Sequence, residues 1–498
     1  MHIPSSQIPF ATPIPEKPHA VSCSFPAMDD VIRYEERDPE LHNRISVAYP
    51  RFVSHHRIVQ WEAYLQKKYD LGDYVTYCVC STQAAKELQR YVGFSHVKVL
   101  ADEAHAVVAV EKVEEAELKT RKFLQHTGYR ISSREAEDLL KQEGLFEGDG
   151  NTVPDPEAYE RLQDTLTEKI GARTNEDVFL ANSGMSAIYA AFRAVQDVQA
   201  KKERTVWIQL GWIYVDTYEI LNKFAGNDDQ KIFIPDPTDL DQIESILKER
   251  GDTVAGIIAE LPTNPLVQTP DVKRLQQLSR EHEVALILDP TVSSIVNVDA
   301  LPLADILVTS LTKYISHEGD VMMGAIALQP DSPFYESTKD LVASYVEPPY
   351  HRDVARVAEQ LDRVESVAEQ VNANTLKLAA FFEDHPGVAK VFWACGGDNA
   401  ERYQVIEKEP GSPGAMITIE VKKPVAEFYD VCRIPKGPSF GMELTLMSPF
   451  MYMAHYDIVS AETGRDELMA YGIHPDLIRI SVGTEPIEEI IAAFDEAL

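Results

Sequence analysis

The chain has 498 residues, 44% of them hydrophobic and 26% charged, an ordinary globular composition with length for about two to four domains. A disulfide-clamped miniature is excluded, because five cysteines cannot staple a chain of this size. Lysine and arginine total 47 against 80 aspartate and glutamate, and the resulting charge of −33 repels phosphate backbones and anionic lipid. Neither nucleic acid nor a membrane surface is an expected partner.

The odd cysteine count points to a reducing compartment. Cys78 and Cys80 in YCVCS lie two apart, on one face of a strand, with no second pair to complete a zinc site. They read as buried thiols, and no metal is expected. The opening MHIPSSQIPFATPIPEKP has its first Lys or Arg at Lys17, and it lacks the pattern of a secretory or mitochondrial address. The apolar stretch VMMGAIAL at 321–328 falls far short of the roughly 20 residues that span a bilayer. A soluble, cytoplasmic protein is expected.

In chain order, the first fifty residues scatter prolines and aromatics without periodicity, the mark of an arm laid on another surface. Residues 74–111 read as strand YVTYCVCS, helix QAAKELQRYV and strand HAVVAVE, a small α/β unit. EKVEEAELKTRKF follows as a charged helix with a solvated face. Beyond Asn151 the pattern is regular. DLDQIESILKER aligns Leu240, Ile243, Ile246 and Leu247 on one helical stripe, ended at Gly251 and followed by strand TVAGIIAEL. DVKRLQQLSREHE repeats the helix with Val272, Leu275 and Leu278, and strands VALILD and ADILVTS come next. This alternation predicts a mostly parallel sheet flanked by helices, with ligands at the carboxyl ends of its strands, where Asp289 and Ser310 sit. Val357, Leu361, Val364, Val367 and Val371 predict one long helix over 352–383, ended at Pro386-Gly387. GAMITIEV and LIRISV then belong to a smaller domain with an antiparallel sheet. The expected division is an arm and α/β extension over 1–120, a large α/β domain over 121–365 and a small α+β domain over 366–498.

Three segments carry the chemistry: FLANSGMSAIYAAF at 179–192, ALILDPTVSS at 285–294 and ILVTSLTKYISHEGD at 306–320. Singly each is ambiguous, since a small-residue turn before a helix, an acid ending a strand and a lysine after one are all common. Together they supply what pyridoxal phosphate requires: a Schiff-base lysine, a carboxylate for the ring nitrogen, and amides and hydroxyls for the phosphate.

On these motifs the chain resembles the Cys/Met-metabolism family of pyridoxal-phosphate enzymes, of the aspartate-aminotransferase-like fold. ELPTNPLVQTPDVKRLQQLSREHEVALILDPT and TSLTKY carry the likeness. HAVSCSFPAMDDVIRYEERD, YPRF, HTGYRISSREAEDLL, YVDTYEIL and SPFMYMAHY resemble, more narrowly, long fungal-type cystathionine γ-synthases with an N-terminal extension. The resemblance implies Lys313 as the Schiff-base lysine and Asp289 as the partner of the ring nitrogen. It implies the amides of Gly184 and Met185 and the hydroxyls of Ser310 and Thr312 as the phosphate cradle. Tyr214 would stack on the ring and help move protons, with Asn264 and Thr291 nearby.

Arg479 shares a strand face with Ser481, opposite Ile478, Ile480 and Val482. By pattern alone it is solvent-facing; the resemblance implies a clamp on the substrate α-carboxylate, with Ser439 in the same pocket. In GYRISSRE, Tyr129, Arg130 and Arg134 are candidates for the residues that reach a neighbouring subunit's cofactor phosphate, with Arg134 favoured. Glu443 in SFGMELTL is a candidate for shaping substrate choice. The implied activity is γ-replacement on an O-acylhomoserine by cysteine to give cystathionine, in a homodimer or homotetramer. Lyase chemistry, another thiol or carbon nucleophile, and a cofactor-binding regulatory protein remain alternatives.

Overall fold

The computed structural model describes residues 2–49, 52–102, 105–148 and 155–498. Pro50 and Arg51 of the YPRF motif lie outside the described residues. The arm is extended at first, with the short antiparallel strands Pro13–Ile14 and Ser22–Cys23, and then forms helix α1 (Met28–Glu35). It belongs to a core: Ile3, Phe25, Met28, Val31, Leu41 and Ile45 pack with the C-terminal sheet. After α2 (His56–Lys68) comes the small unit of β1 (Tyr74–Val79), α3 (Thr82–Val92), β2 (Val97–Asp102), β3 (Ala106–Glu111) and α4 (Glu114–Thr127). Its sheet is antiparallel in the order β1-β3-β2, and β2 is a strand the sequence reading lacked. All five cysteines are free thiols; Cys23, Cys78 and Cys432 are buried, and Cys80 and Cys395 are half-buried. Arg134 lies on α5 (Ser133–Gln142).

The central sheet is built from β4 (Val178–Ala181), β5 (Val206–Leu210), β6 (Lys231–Ile234), β7 (Val254–Glu260), β8 (Ala285–Asp289), β9 (Ile306–Ser310) and β10 (Gly324–Leu328). Their order is β4-β10-β9-β8-β7-β5-β6, with β10 antiparallel to both neighbours and the other pairs parallel. Every residue of β5, β7 and β8 is buried, which is why these strands read as unbroken apolar runs rather than alternating ones. Helices α6 (Gly184–Ala200), α7 (Val215–Phe224), α8 (Leu240–Arg250) and α9 (Val272–Glu281) connect them. Leu240, Ile243 and Leu247 of α8 and Val272, Leu275 and Leu278 of α9 face the core. In the parallel register Glu260 pairs with Asp289, so two acids stand side by side where β7 and β8 end.

The expected single helix over 352–383 is two: α10 (His351–Ala358) and α11 (Val364–Asp384), separated by a 3-10 turn at Leu361–Arg363. Gln360 explains the break. Its side chain is buried, donates to Asp320 Oδ1 at 3.3 Å and accepts from the Glu318 amide at 3.0 Å. Satisfying the 316–320 loop outweighs one uninterrupted helical ladder. Position 365 thus falls at the start of α11, and position 120 falls inside α4.

The C-terminal sheet is antiparallel throughout, in the order β11-β12-β14-β13, from β11 (Val388–Trp393), β12 (Met416–Val421), β13 (Leu446–Pro449) and β14 (Ile478–Ser481). Helix α12 (Ile487–Asp495) covers it. Ile478 and Ile480 enter the core shared with the arm, as alternation predicts. Arg479 on the opposite face is not solvent-facing: that face closes on the central domain, leaving the residue 7% exposed. Among the described residues no helix is long and apolar enough to cross a membrane.

Candidate active site

The ends of β7, β8 and β9, the start of α6 and the inner face of β14 converge on one cleft. Gly184, Met185, Tyr214, Asn264, Asp289, Thr291, Ser310, Thr312, Lys313, Ser439 and Arg479 all line it. Arg134 does not.

At one end the 17-residue helix α6 begins at Gly184, with Ser183 as its cap accepting from the Ser186 amide at 3.1 Å. A Cβ on Gly184 would stand 2.8 Å from Ser310 Cβ, so glycine is what lets the helix terminus meet the end of β9. Free amides and a positive helix end beside Ser310 suit a phosphate. The Thr312 hydroxyl is engaged with the backbone of Met323, accepting from its amide at 3.0 Å.

Behind this cradle Asp289 Oδ1 accepts from the Thr291 amide at 2.9 Å and from the Thr291 hydroxyl. Burial pushes its carboxyl up to about 6, against the pull of the Thr291 bonds and the Lys313 charge. Lys313 follows β9 and donates from Nζ to Ser439 Oγ at 2.9 Å and Tyr49 Oη at 3.2 Å, with the Tyr49 and Phe440 rings within 5 Å. Ser439 holds this place at φ +93, a left-handed conformation rare for a residue with a Cβ.

At the other end Arg479 donates to Asn264 Oδ1 at 3.3 Å and to the Ser439 carbonyl at 3.1 Å, its guanidinium over the Phe440 and Phe450 rings. Burial lowers its pKa to about 10, while Tyr214 and Glu260 favour the charge. Tyr214 precedes α7, and its amide donates to Glu260 Oε1 at 2.5 Å.

These groups fit pyridoxal phosphate. A Cβ-free helix terminus would take the phosphate, Asp289 the ring nitrogen and Lys313 the aldehyde carbon, and Arg479 would be left to meet an amino acid's carboxylate.

Sequence reasoning missed Tyr49, Glu260, Phe440 and Phe450, all in the lining. Tyr49 belonged to a motif that carried resemblance but no assigned role. Glu260 ends a buried strand next to Asp289, a signal available from the same strand-end argument. Arg134 is buried on α5, donating to Asp353 Oδ1 at 3.0 Å and the Asp320 carbonyl at 2.9 Å. Arg130 donates from Nη2 to both carboxylate oxygens of Glu62, and the Tyr129 hydroxyl donates to the Tyr345 carbonyl. Both arginines line a wider groove that shares Tyr49 and Met453 with the cleft. Glu443 is also outside the lining, paired with His317 at 2.6 Å and Arg363 at 2.7 Å.

A family model described as Cys/Met metabolism PLP-dependent enzyme matches residues 150–498. The L-2-amino-4-chloropent-4-enoate dechlorinase/desaturase of Streptantibioticus cattleyicolor is 36% identical over 97% of this chain and 97% of its own. A cystathionine γ-synthase of Neurospora crassa is 34% identical over 69% of this chain and 55% of its own. Among solved structures, cystathionine γ-lyase from Lactobacillus plantarum superposes with a TM-score of 0.58 at 21% identity, over 69% of this chain and 86% of that one, a likeness of fold. With the cleft's geometry and a family match over residues 150–498, the chain belongs to the Cys/Met-metabolism family of pyridoxal-phosphate-dependent enzymes.

Proposed function

We propose that the protein releases the γ-substituent of an L-α-amino acid. The observation that carries this is the Lys313–Ser439–Arg479 arrangement, in which one serine bonds both the amine and the guanidinium. Arg479 binds the α-carboxylate through two parallel N–H donors and so fixes the substrate's orientation. Pyridoxal phosphate, when bound, supplies the electron sink for negative charge at Cα. Lys313 Nζ moves the proton at Cα, and Ser439 Oγ and Tyr49 Oη hold the amine for a second proton at Cβ. Phe440 and Phe450 cover the Arg479 guanidinium and shield the clamp from water.

The relatives support γ-chemistry. The Neurospora relative is a γ-synthase by name, and the substrate in the Streptantibioticus relative's name carries its chlorine on carbon 4, the γ-carbon. The finer reading is γ-replacement: an O-acylhomoserine loses its ester group and cysteine adds its thiol, giving cystathionine. A second reading is elimination without an incoming thiol. Two observations favour it: the end-to-end match to the dechlorinase/desaturase, and a single guanidinium among the described lining residues, enough for one α-carboxylate. The test is to incubate holoenzyme with O-acetylhomoserine, O-succinylhomoserine and 2-amino-4-chloropent-4-enoate, each with and without cysteine, and to identify products. Cystathionine formed only with cysteine means replacement. A product that loses the γ-group regardless of cysteine means elimination. Retention of the γ-substituent in all arms overturns the proposal.

A further inference from the structure

Glu260 is a buried acid in the cleft that the mechanism above does not use. It is 5% exposed and lines the same wall as Asp289, its neighbour in the β7–β8 register. The two acids are treated unequally. Asp289 receives two hydrogen bonds from Thr291 and faces the Lys313 charge. Glu260 receives one bond, from the Tyr214 amide to Oε1, and its Oε2 is buried with no partner. An ionised carboxylate with one bare oxygen, beside a second acid, is the costliest arrangement these positions allow; a proton on Oε2 removes most of that cost.

We propose that Glu260 is carried as the neutral acid, fixing Tyr214 through Oε1 while leaving the Arg479 charge uncompensated for the substrate carboxylate. The groups facing it agree. Burial and the Asp289 charge raise its carboxyl well above the usual range, and the Tyr214 amide and Arg479 oppose this. Were Glu260 ionised, its charge would compete with the α-carboxylate for Arg479, the guanidinium set aside for binding. Glu260 is thus a positioning residue that acts through Tyr214 and Arg479.

The inference rests on Arg479 being the carboxylate clamp of the proposed reaction, and its test does not depend on which γ-product forms. Infrared difference spectra of holoenzyme against Glu260→Gln at neutral pH should contain the carbonyl stretch of one protonated carboxyl, lost in the variant. Calorimetric titration with butyrate, an unreactive monocarboxylate, should give dissociation constants that differ by less than about threefold between the two, since a neutral group replaces a neutral group. Absence of the protonated band, or butyrate binding about tenfold or more tighter in Glu260→Gln, overturns the proposal by revealing an ionised Glu260. Should the Gln variant not fold, Glu260→Asp serves: a shifted protonated band supports the assignment and an unchanged band overturns it. Failure of the proposed γ-chemistry would appear in the products alone, with the infrared band still present.

Discussion

The Lys313 amine is held by two hydroxyls, with Ser439 and Tyr49 bonding Nζ and the Tyr49 and Phe440 rings alongside. Lys313→Ala should abolish the visible absorbance of the bound cofactor and lower kcat by about 10³-fold or more; a yellow, active variant would remove the lysine from the chemistry. Arg479 makes a different demand. Its planar fork lies over Phe440 and Phe450 and reaches both Asn264 and Ser439, which a single ammonium cannot reproduce. Arg479→Lys is expected to raise KM by about tenfold or more with a smaller fall in kcat, read from steady-state kinetics with the substrate that shows turnover.

At the scale of elements, the start of α6 and the end of β9 approach so closely that only glycine fits at 184. Gly184→Ala should push the helix terminus off the cradle and weaken cofactor binding by about tenfold, measured by titrating apoenzyme with pyridoxal phosphate. Unchanged affinity would mean the phosphate lies elsewhere. A second element is poised on a neutral histidine. His55 caps α2, accepting the Arg57 amide at Nδ1 and donating from Nε2 to the Pro18 carbonyl, and it stacks with His19. Burial lowers its pKa to about 3. Because the folded value lies below the unfolded one, the unfolded chain binds more protons as pH falls from about 6.5 towards 3, and stability is lost over that window. His19 and His56, also lowered by burial, act in the same direction. The melting temperature should therefore fall by a few degrees between about pH 6.5 and pH 5, and the fall should be shallower in His55→Asn. An identical profile in the variant would discard this role.

For the whole molecule, the arm is part of the architecture that makes the site. Phe25, Met28, Val31 and Leu41 are buried against the C-terminal sheet, and Tyr49 then enters the cleft. Four such side chains at about 1.5–3 kcal/mol each are comparable with the entire net stability of a domain, about 5–15 kcal/mol. Removing residues 1–48 should give aggregated protein on size exclusion; a monodisperse product with the parent melting temperature would show the arm to be dispensable.

Local pattern was sufficient for much of this protein. Helices α8 and α9, strands β7 to β9 and the acid and lysine at their ends were legible because buried parallel strands and amphipathic helices impose different periods on the residues themselves. The residues proposed for the phosphate cradle lie at a strand end and a helix start, places that the same periods mark. Period cannot report what a face meets. Arg479 alternates as an outward residue, and only the docking of the C-terminal sheet on the central domain makes outward mean into the cleft. Tyr49 is more than 260 positions from the lysine it touches, and Gln360 breaks a helix to satisfy a distant loop. Each of these depends on contacts between segments far apart in the chain, and their energies enter only when tertiary packing brings the segments together.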